Sequence, residues 1–234
     1  MIPTKAESAW RGTADCKECC IRDMTLFADL NAHDFSLIHG PIDKLEYPAG
    51  ACLFTEGGAA KCLFTLRYGM LKLVRSTIDG RPRIVGVLRA GDVAGLEALA
   101  GTPYDCDAVA LTPVSVCRIP QAVIQTLSSS SPRLQTQLMK KWQHALKDAD
   151  DWLADMNFGT ARRRVGNLIL KMRSAENSEI AELFSREDMG AMLDLKLETV
   201  SREISLLVRN GVIEQLDKRG RTYRVIHSDK LITG

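Results

Sequence analysis

The 234-residue sequence predicts an α+β fold: a compact antiparallel barrel or roll, one long helix, and a pair of short helices backed by a hairpin. Three observations predict it. Short apolar runs between Leu45 and Arg118 alternate with glycine-bearing turns, among them Pro48-Ala-Gly50, Arg67-Tyr-Gly69 and Ala90-Gly-Asp92. Ser131, a good N-cap, precedes Pro132 at the first helical position, and the helix they open runs until Gly159 breaks it. Ser185 to Ile204 then reads as two helices joined by a tight turn.

The bulk composition narrows the class without naming it. With 45% hydrophobic and 26% charged residues the chain is ordinarily globular and long enough to bury one large core or two smaller ones. Net charge is +2; residues 159–234 hold 14 Lys+Arg against 11 Asp+Glu, and residues 1–158 hold 17 against 18. That excess is too small to mark a polyanion binder by itself. Residues 1–15 lack the apolar core of a signal peptide, and no stretch approaches the ~20 apolar residues of a membrane helix. A cytoplasmic protein with no membrane partner is expected. In a reducing compartment its seven cysteines are expected as metal ligands, redox sensors or small buried residues rather than as disulfides.

Residues 1–25 form a cysteine-bearing segment containing Cys16-Lys-Glu-Cys19-Cys20. A short amphipathic helix is expected over 26–44, with Leu30, Phe35, Leu37 and Ile38 turned inward. The runs Cys52–Thr55, Leu63–Leu66, Leu71–Arg75, Ile84–Leu88 and Val114–Ile119 favour strands and complete a domain spanning 26–130. In the helix of 131–158, Met139, Trp142, Leu146, Ala149, Leu153 and Met156 recur at spacings of 3, 4, 3, 4 and 3. Such a seam suits a two-stranded coiled coil and so a homodimer; the other reading is a helix packed on its own domain's core.

Residues 159–234 form the last domain. A helix is expected from about Ala161 to Arg173, followed by the helix pair. Asn210-Gly211 closes the second helix of the pair, and Val212–Leu216 and Thr222–Ile226 flank Asp217-Lys-Arg-Gly220, a hairpin with a basic tip. This is a winged helix-turn-helix. Ser185 and Asp188 form a capping box, while Met189, Met192, Leu193, Leu195, Val200, Ile204 and Leu207 supply the apolar face between the helices. Glu198, Ser201, Arg202 and Ser205 are left pointing outward. Arg donates twice to guanine, Glu accepts from cytosine, and Ser bonds either kind of edge, so the partner indicated is double-stranded DNA. The alternative is a solvated face with a Glu198–Arg202 ion pair. No paired acid–base constellation or phosphate loop points to an enzyme.

With these residues in view, Glu198-Thr199-Val200-Ser201-Arg202 resembles the recognition helix of the FNR branch of the CRP/FNR transcription regulators. Pro48-Ala-Gly50, Leu53-Phe54, Gly57, then Leu63, Leu66, Gly69-Met-Leu71-Lys72, then Ala90-Gly-Asp92 and Gly95 are similar to the family's sensor roll. The resemblance covers nearly the whole chain from about Cys16. It implies a cyclic-nucleotide-binding-like β-roll, a long dimerisation helix and a C-terminal winged helix-turn-helix. It further implies that Glu198, Ser201 and Arg202, with Thr199 and Ser205 beside them, read a TTGAT-like half-site. A dimer would bind the inverted repeat and contact RNA polymerase. Two positions depart from the pattern. Asp194 stands where the turn usually has Gly, and Lys196 stands where a Thr often caps the recognition helix, so that Lys196 more naturally touches phosphate.

The resemblance also frames the input. Members that bind cAMP present a Gly-Glu pair and, about ten residues on, Arg-Ser or Arg-Thr. Here Gly95 precedes Leu96, and the phosphate positions fall at Cys106-Asp107, whose carboxylate would repel a phosphodiester. No cyclic nucleotide is expected. In oxygen-sensing FNR proteins an N-terminal cysteine cluster and a cysteine at the position of Cys117 hold a [4Fe–4S] cluster. The resemblance therefore implies Cys16, Cys19 and Cys117 as ligands, with Cys20, or alternatively Cys106, as the fourth; a single C-x2-C supplies only two. Other readings stay open: a thiol–disulfide switch among Cys16, Cys19, Cys20 and Cys117, a haem, no cofactor, or a redox metalloprotein of another class. His33, His39, His144 and His227 show no ligand spacing, and Cys52 and Cys62 are expected as buried apolar fillers.

Overall fold

The computed structural model describes residues 7–8, 26–36, 42–78, 80–174 and 177–232. They divide into two compact units, the first closing at Lys147 and the second running from Asp148 onward with residues 81–84.

The first unit is built on two sheets. Strands β1 (Glu7–Ser8), β2 (Asp43–Tyr47), β4 (Cys62–Tyr68), β7 (Val93–Ala94) and β9 (Val114–Pro120) form one, in the order β1-β2-β9-β4-β7. Strands β3 (Cys52–Phe54), β5 (Leu71–Ser76), β6 (Pro82–Leu88) and β8 (Asp107–Ala110) form the other, in the order β3-β8-β5-β6. The β2–β9–β4 and β3–β8–β5 ladders are antiparallel. Each of the five strands read from the sequence is present; β1, β2, β7 and β8 are additions. Within the β2–β9–β4 ladder Val116 stands opposite both Leu45 and Leu66, so these three share one face and are all buried.

Aromatic packing fills the space beside β3 and β4. Phe54 and Tyr104 stack with ring centroids 3.9 Å apart, Phe64 packs at 5.7 Å, and the Tyr104 hydroxyl donates to the Cys62 carbonyl at 2.8 Å. Gly95 makes this arrangement accessible. It has φ +78°, and a Cβ there would lie 2.9 Å from the Tyr104 ring and 3.0 Å from the Cys62 carbonyl.

The amphipathic helix expected over 26–44 is corrected. Helix α1 covers only Ala32–Ser36, and Asp43 already begins β2. The cause is local: the Asp34 N–H donates to Asn31 Oδ1 at 2.9 Å and the Asn31 N–H donates to Asp34 Oδ2 at 3.0 Å, a reciprocal cap that starts a new helix. Leu30 and Phe35 are buried as expected, while Leu37 and Ile38 lie outside the described residues.

Helices α2 (Glu97–Ala100), α3 (Gln121–Ser130) and α4 (Pro132–Met156) complete the unit, the division between units falling inside α4. Ser131 caps α4, its hydroxyl accepting from the Leu134 N–H at 3.4 Å. The first half of α4 is also tied to its neighbours by polar contacts. Asp29 accepts from Gln137 and pairs with Lys140 at 3.4 Å, and Asp34 pairs with Arg133 at 3.5 Å. Lys141 donates to the Gly91 carbonyl at 2.6 Å, and His144 lies 3.6 Å from Asp92.

The second unit contains α5 (Ala161–Lys171), β10 (Ile180–Glu182), α6 (Arg186–Leu193), α7 (Leu197–Arg209), β11 (Ile213–Gln215) and β12 (Thr222–Val225). Its three strands are ordered β10-β12-β11, both pairs antiparallel. Val165, Leu168, Ile169, Met189, Met192, Leu193, Val200, Ile204 and Leu207 are all buried, so α5, α6 and α7 contribute the apolar faces that the spacing predicts. Among the described residues no helix is long and apolar enough to cross a membrane.

Candidate nucleic-acid interface and sensor cysteine

Local chemistry sets the angle between α6 and α7. The Ser185 hydroxyl accepts from the Asp188 N–H at 3.0 Å and donates to its carboxylate at 2.9 Å, so α6 begins with two mutual bonds. Its C-terminus is held by Asp194, left-handed at φ 53° and ψ 48°, and the Leu195 N–H returns to the Gly190 carbonyl at 3.1 Å. Aspartate is among the few residues whose short polar side chain tolerates that conformation. The following Lys196 is extended at the N-cap of α7, and its carbonyl accepts from Thr199 and Val200 at 3.0 and 3.1 Å. Its side chain makes no cap and stands exposed, which leaves the ammonium for an outside partner.

Val200, Ile204 and Leu207 bury one side of α7 and thereby orient the other. Glu198, Arg202 and Ser205 are exposed; Thr199 and Ser201 are half-buried at the edges of that face. The Arg202 side chain is 68% exposed, and its ion pair is with Glu203 at 3.7 Å, not with Glu198. At this length and with the guanidinium exposed the pair holds Arg202 only weakly, so it is available for a base edge at small cost.

Behind α7, β11 and β12 form the wing. The Asp217 carboxylate accepts from the N–H groups of Thr222 and Arg221, each at 2.8 Å, and of Arg219 at 3.1 Å. These bonds, led by the one from Thr222, hold its carboxyl below the usual carboxylate range. They shape a tip on which Lys218, Arg219 and Arg221 are exposed. The wing is tied to α6 by Arg186, whose Nη2 donates to the buried Tyr223 hydroxyl at 2.6 Å with the guanidinium 5.8 Å from the ring centroid. Arg164 of α5 donates to the last α6 carbonyl, that of Leu193, at 2.7 Å. Sequence reading missed both arginines, because 37 and 29 residues separate them from their partners and no local spacing signals the contact.

Along α4, Met139, Trp142, Leu146 and Leu153 are 71%, 47%, 65% and 58% exposed, and Ala149 is exposed with them. Five of the six expected seam positions therefore present an apolar face that their own chain does not cover. Met156 is the correction: in the last turn of α4, four residues beyond the buried Trp152, it is itself buried. In the first unit the seam borders a groove of about 720 Å³ lined by Leu99, Ile124, Leu138, Met139 and Trp142.

Of the proposed ligands, Cys16, Cys19 and Cys20 lie outside the described residues. Cys117 is half-buried in the middle of β9, opposite Lys44 on one side and Thr65 on the other, so the three form a cross-strand row. Their face of the ladder is opposite to that of Leu45, Leu66 and Val116. Cys117 packs against the same apolar cluster that contains the fully buried Leu26, the first described residue after the cysteine segment. Cys106, the alternative ligand, is corrected. It is buried ahead of β8 in the other sheet, and burial together with the Glu97 and Asp105 carboxylates pushes its thiol up to about 12, which disfavours the thiolate a metal needs. Cys52 and Cys62 are half-buried rather than sealed in the core, and burial raises both thiols. Among the described residues no three His, Cys, Asp or Glu side chains converge to hold a metal ion.

A β-roll followed by a winged helix-turn-helix with an exposed face on its second helix is the architecture of a DNA-binding regulator. Comparison with known proteins gives the family. Residues 44–131 match the cyclic nucleotide-binding domain and residues 163–233 the Crp-like helix-turn-helix domain. The chain is 28% identical over 223 residues to the fumarate and nitrate reduction regulatory protein of Salmonella typhi, covering 92% of this chain and 88% of that one. It is 27% identical over 222 residues to the transcriptional activator protein FnrA of Stutzerimonas stutzeri, covering 92% and 90%. Its fold is that of FixK2 from Bradyrhizobium japonicum, with a TM-score of 0.73 and 24% identity over 81% of this chain and 95% of that one. The chain belongs to the CRP/FNR family of DNA-binding transcription regulators and is not an enzyme.

Proposed function

We propose that the chain is a cytoplasmic, homodimeric, oxygen- or redox-responsive regulator that reads TTGAT-like inverted repeats and contacts RNA polymerase. Its input is a [4Fe–4S] cluster held by Cys16, Cys19, Cys20 and Cys117. The observation that carries the redox reading is the placement of Cys117. It is half-buried at mid-strand, in register with Lys44 and Thr65 in the ladder, and packs on the apolar core of the first unit. A thiolate there fits the donor chemistry of such a cluster, which when bound supplies sensitivity to oxygen.

The interior of the roll supports the same reading from the other side. The Phe54–Tyr104 stack occupies it, and the Asp107 carboxylate, where the family resemblance puts the phosphate, accepts from the Glu56 N–H at 2.7 Å. A cyclic nucleotide would have to meet that carboxylate with its own negative charge. Protein purified without oxygen is expected to absorb broadly near the blue end of the visible range, to hold iron and sulfide in near-equal amounts, and to bleach in air. Colourless anaerobic protein lacking both elements would overturn the cluster and leave a thiol–disulfide switch.

On the output side, Glu198, Ser201 and Arg202 read bases, Thr199 and Ser205 flank them, and Lys196 touches phosphate. Arg202→Ala is expected to weaken binding to a TTGAT-like site by about 1–3 kcal/mol and to relax the preference at one base pair. Titration of operator and scrambled duplexes at one salt concentration measures this. An unchanged preference removes Arg202 from the reading set.

A further inference from the structure

We propose that Thr65 is a positioning residue of the redox centre, its hydroxyl donating a hydrogen bond to the Cys117 sulfur when that sulfur is a ligand. The assignment rests on the iron–sulfur reading above. Thr65 and Cys117 are direct partners in the β4–β9 ladder. Residues so paired point to the same face with Cβ atoms about 4.5–5.5 Å apart, a spacing across which a threonine hydroxyl reaches a cysteine sulfur.

What singles out Thr65 is a cost without a visible return. It is 1% exposed, and its Oγ1 is buried with no hydrogen-bond partner. A hydroxyl in that condition destabilises the fold, and valine would fill the same volume without the penalty. The ladder places one sulfur directly across from it. On the other side of Cys117 stands Lys44, whose ammonium is already engaged with Glu46 at 3.5 Å. Ser115 also has a buried, unpaired hydroxyl, but it is two residues along the same strand, roughly 7 Å from Cys117. Thr65 is therefore the donor in register. Hydrogen bonds to ligand sulfur withdraw electron density from it, raise the reduction potential and slow oxidation.

The test uses the full chain, reconstituted with iron and sulfide without oxygen, as wild type, Thr65→Val, Thr65→Ser and Ser115→Ala. Iron-free Thr65→Val is expected to melt no lower than wild type, since it loses an unpaired polar group and no volume. Once loaded, it is expected to bleach in air several-fold faster and to show a more negative reduction potential. Thr65→Ser keeps the donor and behaves as wild type, and Ser115→Ala moves the potential less than Thr65→Val. A loaded Thr65→Val protein with wild-type potential and bleaching rate overturns the role of Thr65 alone. Wild-type protein that binds neither iron nor sulfide overturns the cluster and this assignment together.

Discussion

Replacing Leu146 by glutamate is expected to give a folded monomer that binds an inverted-repeat site roughly a hundredfold or more less tightly than wild type. The side chain is 65% exposed on its own chain, so the change does not enter that chain's core. It acts only if two α4 helices meet along Met139, Trp142, Leu146, Ala149 and Leu153. Each leucine buried there contributes about 1.5–3 kcal/mol, and symmetry would set two glutamates against each other in its place. With one half-site per chain, loss of the pair removes the advantage of binding both halves together. Light scattering measures the mass and duplex titration the affinity. A Leu146→Glu protein that remains a dimer with wild-type affinity would remove the seam from the mechanism.

The second large effect is expected at Gly190. A Cβ there would lie 2.7 Å from the Leu195 carbonyl oxygen, which belongs to backbone and has no rotamer by which to move aside. Gly190→Ala must open the turn, at a cost of about 1–3 kcal/mol in the stability of the second unit. DNA binding should suffer more than stability, because α7 is aimed from α6 through this contact and the base edges tolerate little rotation. Melting followed alongside operator titration separates the two. Wild-type melting and binding together would show that the turn yields without consequence.

The parts of the fold legible in the sequence are those written in short-range chemistry. Ser185 with Asp188, Asp194 in the left-handed turn and the Asp217 loop each act within a few residues, so spacing alone announces α6, α7 and the wing. Strand runs bounded by glycine turns were legible for the same reason. Helix α3 was not, although Val123, Ile124 and Leu127 are buried at helical spacing. The serine run draws attention to the Ser131 cap, yet Ser129 bonds back to the Thr126 carbonyl at 2.8 Å and the run ends α3 before Ser131 opens α4. Strand β2 was absorbed into an apparent helix because the apolar spacing of Leu30, Phe35, Leu37 and Ile38 runs on toward it, whereas the Asn31–Asp34 cap starts a helix only at Ala32 and Asp43 already begins the strand. At the site, the reading face of α7 was legible. The edge positions of Thr199 and Ser201, the Arg186–Tyr223 bond and the exit of Met156 from the seam were set by packing between distant segments.

The contacts of α4 with Asp29, Asp34 and the Ala90–Asp92 turn determine how hard the regulator is to tip. Carboxylates, two ammonium groups and a partly exposed guanidinium hold it there, and water and salt compete for those that are exposed. Arrangements that differ by exchanging such contacts lie within a few kcal/mol of one another. Asp29 and Asp34 follow closely on the cysteine segment, so a small change at that end weighs directly in the balance. A helix sealed by leucines alone would be costly to displace; polar contacts of this kind exchange for others at smaller cost.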